Sequence, residues 1–190
     1  PESLEKAYAE NENVKMIYVI PTFQNPSGIT MSAERRSMLY SFCRDKGIMI
    51  LEDNPYGELR FKGENVAPIK SMDTDGIVIY CGSFSKTLSS GMRVGFVCAP
   101  SEITQKMVVC KQVADVHTNL FFQMLIDKYL ERYDFDAHIA SIRKLYRRKC
   151  ELMLSEMDKK FPSSVSYTRP EGGLFIWCTL PDSVDVAAFV

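Results

Sequence analysis

The sequence has little of what metal and disulfide sites are built from. Its two histidines, His117 and His138, stand far apart with no Cys or carboxylate cluster beside either, so each is expected to be a surface or internally satisfied histidine rather than a ligand. Six cysteines occur at 43, 81, 98, 110, 150 and 178, and no two form a CxxC pair or another metal spacing. Most lie in apolar stretches and read as buried free thiols, the usage of a cytoplasmic protein. No apolar run approaches the ~20 residues of a membrane span, and the start carries no initiator Met and no signal-peptide pattern. Neither sign of charge is in excess, since 23 Lys and Arg stand against 24 Asp and Glu. That leaves no electrostatic footprint for nucleic acid. The basic run Arg143–Lys149 falls inside a helical pattern and reads as a solvated helix face. There is no internal repeat and no low-complexity tract. Composition is that of a folded chain, 46% hydrophobic and 25% charged, not of a disordered one. The 190 residues suffice for one domain, or one domain and part of another. A chain that begins on Pro1 and stops in mid-pattern at Ala188-Phe189-Val190 is expected to be a fragment.

What is there alternates. Leu4–Glu10 reads as the tail of a helix, and the β-branched run Lys15–Ile20 as a buried strand. Pro21–Thr30 is a loop by its Pro, Asn and Gly content. Ser32 is a good N-cap for a helix running to about Lys46, with Gly47 as its stop. Ile48–Leu51, Ile77–Cys81 and Val94–Cys98 read as three further strands. Pro100-Ser101 opens a long helical stretch towards Tyr133, and Asp134–Lys160 reads as one long amphipathic helix. Val165–Tyr167 and Leu174–Cys178 read as strands around the turn Pro170–Gly173. Strands apolar on both faces, alternating with helices, predict an α/β fold with a mainly parallel sheet covered on both faces. The pattern divides into a partial large domain over 1–133, an interdomain helix over 134–160, and the beginning of a small α+β domain over 161–190.

Ligands of open α/β sheets bind at the carboxyl ends of the strands, and here those ends are rich in chemistry. The first strand is followed by Pro21-Thr22-Phe23-Gln24-Asn25-Pro26-Ser27-Gly28. The second runs into Glu52-Asp53-Asn54-Pro55-Tyr56. The third runs into Gly82-Ser83-Phe84-Ser85-Lys86, with Arg93 seven residues later. Ser83, Ser85 and Arg93 suit a phosphate, through hydroxyl donors and a planar guanidinium. A lysine beside them can form an imine with an aldehyde. A carboxylate can hold a protonated ring nitrogen, and an amide and a phenol can hold a ring hydroxyl. Aldehyde, pyridine, hydroxyl and phosphate together describe pyridoxal 5'-phosphate.

The segments PTFQNPSG, EDNPYGELRF and GSFSKTLSSGMRVGF, with the later EGGLFIW, resemble the fold-type I aminotransferases. The nearest subgroup is the class I set containing 2-aminoadipate/kynurenine and bacterial aromatic or branched-chain enzymes. The resemblance covers essentially the whole chain, with Asp53 28 residues after Asn25 and Lys86 33 residues after Asp53. It implies that Lys86 is the Schiff-base lysine and proton shuttle, and that Asp53 pairs with the pyridinium nitrogen so that the ring becomes an electron sink. It further implies that Asn25 and Tyr56 hydrogen-bond the ring oxygen, that Ser83, Ser85 and Arg93 hold the phosphate, and that Asn25–Pro26 is a candidate cis bond. The implied activity is transfer of an amino group from an L-amino acid to a 2-oxo acid, by a homodimer when full length.

Singly, each of these residues has an ordinary explanation: a surface lysine, a turn Asp, a packed tyrosine, loop serines. Only their joint order favours the site. Phe23, Phe84, Trp177 and the methionines are expected in the core, Tyr80 and Tyr146 receive no role, and Gly91 and Gly172-Gly173 read as backbone requirements. The family's upstream phosphate loop and ring-stacking aromatic, and its downstream arginine for the substrate carboxylate, have no counterpart here, and Arg169 is not in that motif. The chain alone is therefore expected to be inactive. Two alternatives stand beside the main reading: a PLP-dependent β-lyase, and a winged-helix transcription regulator whose aminotransferase-like domain senses the cofactor.

Overall fold

The computed structural model describes residues 2–189. In chain order the elements are α1 (Glu2–Ala9), β1 (Met16–Val19), α2 (Ala33–Lys46), β2 (Met49–Asp53), β3 (Val78–Ser83), β4 (Gly95–Cys98), α3 (Ser101–Ala114), α4 (Leu120–Arg132), α5 (Phe135–Lys160), β5 (Ser166–Tyr167), β6 (Cys178–Thr179) and α6 (Val186–Phe189). Short 3-10 turns occupy Gly57–Leu59, Ile69–Met72 and Ser90–Met92. The main sheet has the order β1-β2-β3-β4. Its first three strands are parallel and β4 runs antiparallel to β3, which gives the mixed, mostly parallel sheet that the alternating pattern predicts.

Alternation along β2 sorts the two faces of this sheet. Ile50 and Glu52 are wholly buried on one face, whereas Leu51 and Asp53 stand half-buried on the other. The Ile50 face packs against α2, whose Leu39, Tyr40 and Cys43 join Ile48, Ile50, Ile69 and Val78 in the main core. Each aliphatic side chain so buried contributes about 1.5–3 kcal/mol. Helix α2 begins and ends where its sequence indicates. Ser32 accepts a hydrogen bond from the Arg35 N–H, and Gly47 closes the helix at φ 65°, a conformation that costs glycine little.

Two charged residues lie inside this core, and both are taken up by backbone. Arg36, 1% exposed, donates to the carbonyls of Met31, Val66, Ala67 and Pro21 and to the Thr22 hydroxyl. It thereby ties α2 to both ends of the 21–31 loop. Glu52, 0% exposed, accepts from the Ile69 N–H at 2.8 Å and the Lys70 N–H at 2.7 Å, capping the start of the 69–72 turn. Burial pushes its carboxyl above the usual range, and those two N–H groups, with Arg36 and Lys70, oppose the rise.

The structure departs from the sequence reading in several places. Strand β4, expected to be buried, has all four residues exposed, and Phe84, expected in the core, is half-buried. The helical stretch after Ser101 is two helices, because Asn119 caps a new one by accepting from the Phe122 N–H at 3.3 Å, and Val116 sits at φ 64° between them. The second late strand is not Leu174–Cys178 but the two-residue Cys178–Thr179, paired with Ser166–Tyr167. The residues before it are occupied instead in packing on the strand-end loops. Of the six cysteines only Cys43 is buried, and Cys98 and Cys110 are exposed, because β4 and α3 leave their apolar side chains open. Trp177 is 47% exposed, and Met16, Met38, Met107, Met124 and Met153 are also exposed, so neither Trp177 nor those methionines belong to the core. Phe23, wholly buried, does.

Candidate active site

The loop between β1 and α2 is held rigidly enough to present one side chain. The Gln24 N–H donates to the Ile29 carbonyl at 2.9 Å, the Met31 N–H to the Pro21 carbonyl at 2.7 Å, and Gln24 Oε1 accepts from the Ser27 N–H at 2.9 Å. The Asn25–Pro26 bond is cis, as expected. Phe23 anchors the loop from beneath. It adopts φ 51°, uncommon for a bulky residue, and is sandwiched. The Arg60 guanidinium lies 4.7 Å from its ring centre, and a Cβ added at Gly172 would come within 2.2 Å of that ring. Only glycine at 172 allows so close an approach.

Asn25, presented by this loop, lies beside the phenol of Tyr56. Tyr56 is buried and packs edge-on against Phe175, with ring centres 5.4 Å apart. Burial raises its phenol above the ordinary value, the Asn25 contact opposes this, and the nearby Asp53 adds to the rise. Asp53 ends β2 next to Cys81 of β3, and its Oδ2 accepts a hydrogen bond from the Tyr18 hydroxyl at 2.7 Å. The structure thus brings Asn25, Tyr56, Asp53 and Tyr18 together at the carboxyl ends of β1 and β2. Beside it, the Asn54 amide donates to the Tyr80 hydroxyl at 2.9 Å, so Tyr80 braces the residue that follows Asp53.

The third strand end is a tight turn. Ser83 Oγ accepts from the Ser85 N–H at 3.1 Å, the Leu88 N–H donates to the Phe84 carbonyl at 2.8 Å, and the Phe84 N–H reaches the Val94 carbonyl at 3.1 Å. Lys86 rides on this turn, half-buried. From the far side His138 of α5 lies with Nε2 2.8 Å from the Thr87 carbonyl, a satisfied histidine as expected. Arg93, at φ 55°, is exposed, and its guanidinium donates to the Ser90 carbonyl at 3.2 Å. The structure therefore unites Asn25, Asp53 and Tyr56, pairs Ser83 with Ser85, and places Lys86 and Arg93 on the adjoining turn without a contact to either set. Sequence reasoning missed Tyr18, Tyr80 and Arg36. Of these only Arg36 carried a signal, since it shares a helical face with Leu39, Tyr40 and Cys43.

The donor set fits a flat, phosphorylated aldehyde. One oxygen of Asp53 is engaged by Tyr18, which leaves the other for a ring cation. Two hydroxyls and an arginine stand near a lysine that, among the described residues, has no hydrogen-bond or ion-pair partner. A fold whose strand ends carry such a set belongs to a definable class. The chain matches the aminotransferase class I and II family over residues 1–189 and belongs to it. It is 44% identical to aromatic-amino-acid aminotransferase 1 of Thermococcus litoralis, across 97% of this chain and 44% of that protein. It superposes with TM-score 0.92 and 36% identity on LysN, the alpha-aminoadipate aminotransferase of Thermus thermophilus complexed with N-(5'-phosphopyridoxyl)-L-leucine, covering 98% of this chain and 48% of that one. It is also 34% identical to an uncharacterized HTH-type transcriptional regulator of Escherichia coli, over 97% of this chain and 39% of that protein. The chain spans less than half the length of the relatives it matches. No helix of the described residues is long and apolar enough to cross a membrane.

Proposed function

We propose that this chain supplies the cofactor-holding part of a pyridoxal 5'-phosphate-dependent aminotransferase, cytoplasmic and homodimeric when full length. That enzyme moves the amino group of an L-amino acid to a 2-oxo acid. The observation that carries the reading is the gathering of Asn25, Tyr56 and Asp53 at two strand ends, with the Lys86 turn at the third. When bound, the cofactor supplies an aldehyde that captures amines and a ring that withdraws electrons from the substrate α-carbon. The residues of this chain do the rest. Lys86 provides the nucleophilic amine and afterwards carries a proton to and from the α-carbon. Asp53 keeps a proton on the ring nitrogen through charge pairing in a half-buried site. Asn25 and Tyr56 hold the ring oxygen, with Tyr56 kept protonated by burial and hence a donor. Ser83, Ser85 and Arg93 are the phosphate ligands; the Arg93 guanidinium gives one N–H to the Ser90 carbonyl and keeps its other donors for this role. We place the large domain at 1–133, the interdomain helix at 134–160 and the start of the small domain at 161–190.

The test is chemical trapping. The full-length protein is incubated with pyridoxal 5'-phosphate, reduced with borohydride, digested and analysed by mass spectrometry. A single dominant pyridoxyl adduct is expected on Lys86 and is abolished by Lys86→Ala. Label spread over the surface lysines would sink the assignment. The similarity to an HTH-type regulator sustains a second reading, a cofactor-sensing domain without turnover. In that case Lys86 still labels, but no amino group passes from any amino acid to a 2-oxo acid.

A further inference from the structure

Tyr18 belongs to β1, a strand whose Ile17 and Val19 face the α2 core. Tyr18 itself points to the opposite face, where its register partner is Leu51 of β2. Asp53 lies two residues beyond Leu51 and so on the same face. That register lets a phenol on one strand reach a carboxylate at the end of the next, and the hydroxyl donates to Asp53 Oδ2 at 2.7 Å. Packing does not account for this placement. The tyrosine is 57% exposed, and phenylalanine would fill the same space.

We infer that Tyr18 is the positioning residue of Asp53: it pins one carboxylate oxygen, turns the other towards the cofactor's ring nitrogen, and draws off part of the carboxylate's charge. The inference rests on the functional reading given above. A donor on an ionised carboxylate is a charge-assisted hydrogen bond, stronger and more directional than a neutral one. It fixes a side-chain torsion that is otherwise broad. The phenol is well held in its protonated form, because the hydrogen bond to Asp53, and after it burial, pushes it up to about 12. Tyr18 therefore remains a donor at every pH at which the site would work. It also withdraws charge from the oxygens that face the ring, so its loss should make the protons on the bound cofactor harder to remove.

The experiment has two stages on the same protein. Carbon-13 NMR of labelled tyrosine first follows Tyr18 without cofactor. It is expected to ionise near 12 in the wild type and to fall towards the ordinary value of about 10 in Asp53→Asn. Ordinary titration in the wild type, or no response to Asp53→Asn, overturns the inference. Pyridoxal 5'-phosphate is then titrated into the wild type, Tyr18→Phe, Asp53→Asn and the double variant. Affinity is read by equilibrium dialysis, and the pH midpoint by the visible absorbance of the bound cofactor. Tyr18→Phe is expected to weaken binding about fivefold, the contribution of one hydrogen bond, and to move the midpoint upward. Both effects should vanish on the Asp53→Asn background, since Tyr18 acts through Asp53. Wild-type affinity and midpoint in Tyr18→Phe, or a shift that persists in the double variant, overturns it. A wild type that forms the Tyr18–Asp53 pair but takes up no cofactor contradicts the functional reading, and the positioning role falls with it.

Discussion

The strand ends and helix α3 are built in opposite ways. Beneath the strand ends the buried charged groups Arg36 and Glu52 are held by named partners. Arg36 alone satisfies four carbonyls and a hydroxyl, and Phe23 is wholly enclosed. Helix α3 has no buried residue; its Val113 is 86% exposed, and Val108, Val109 and Met107 are exposed as well. The contrast teaches that the candidate site draws its rigidity from what lies directly beneath it, chiefly α2 and the 59–61 and 66–73 segments. Helix α3 is held by its own backbone hydrogen bonds and little else. Such a region sits at the low end of local stability, and a run of exposed apolar side chains of this kind is one that soluble proteins normally cover.

Substitutions that should behave differently in the two regions sharpen the contrast. The largest effect is expected from Arg36→Met. It strands four backbone carbonyls and a hydroxyl in the core and should lower unfolding free energy by about 3 kcal/mol or more in urea titrations. Val113→Ser should change it by less than about 0.5 kcal/mol. Similar losses in both would break the comparison.

A middle-sized effect follows from pH. Burial pushes the Cys43 thiol up to about 11, so the folded state keeps a proton that the unfolded chain releases from about pH 9. The stabilisation is complete below pH 9 and is lost as pH rises towards 11, by on the order of 2 kcal/mol. Tyr18, pushed up to about 12, adds a further decline of the same sign between pH 10 and 12. Urea titrations at pH 8 and pH 10.5 would show the slope, and Cys43→Ala should flatten it. At pH 8, Cys98 and Cys110 should react with a thiol reagent in the folded chain, while Cys43 reacts only on unfolding. The smallest effect is expected on α3 itself. The Lys111–Asp115 pair, 2.9 Å apart and about half-exposed on both sides, should contribute no more than about 0.5 kcal/mol, measurable as the loss in Lys111→Ala.

How much of the fold and the site is legible in the sequence depends on whether the signal is local. Ser32 and Gly47 bound α2 because capping is decided within a few residues, and the cis Asn25–Pro26 bond follows the loop motif. Asn25, Asp53 and Tyr56 can be grouped only through a motif spread over two strand ends. Tyr18 cannot be found that way. A tyrosine in an apolar strand looks like any packed aromatic until the β1–β2 register sets it one step from Asp53. Arg36 is hidden differently, since its neighbour Arg35 is exposed and only the period of the buried face separates the two. The break between α3 and α4 escapes a sequence reading because the apolar periodicity outweighs a short Asn cap. The expected strand at Leu174–Cys178 fails because an apolar run gives no sign of whether it will pair in a sheet or pack on a loop.

The seam between the 59–62 and 171–173 segments carries a mechanical consequence. The Phe61 and Lys62 N–H groups both donate to the Glu171 carbonyl at 3.0 Å, the Gly173 N–H returns to the Leu59 carbonyl at 3.1 Å, and Gly172 lies against the ring of Phe23. Force applied to the chain beyond β6 reaches this seam before it reaches the sheet. It is delivered to Phe23, two residues before Asn25. The late segment is thus a lever whose short arm ends beneath the loop that presents Asn25.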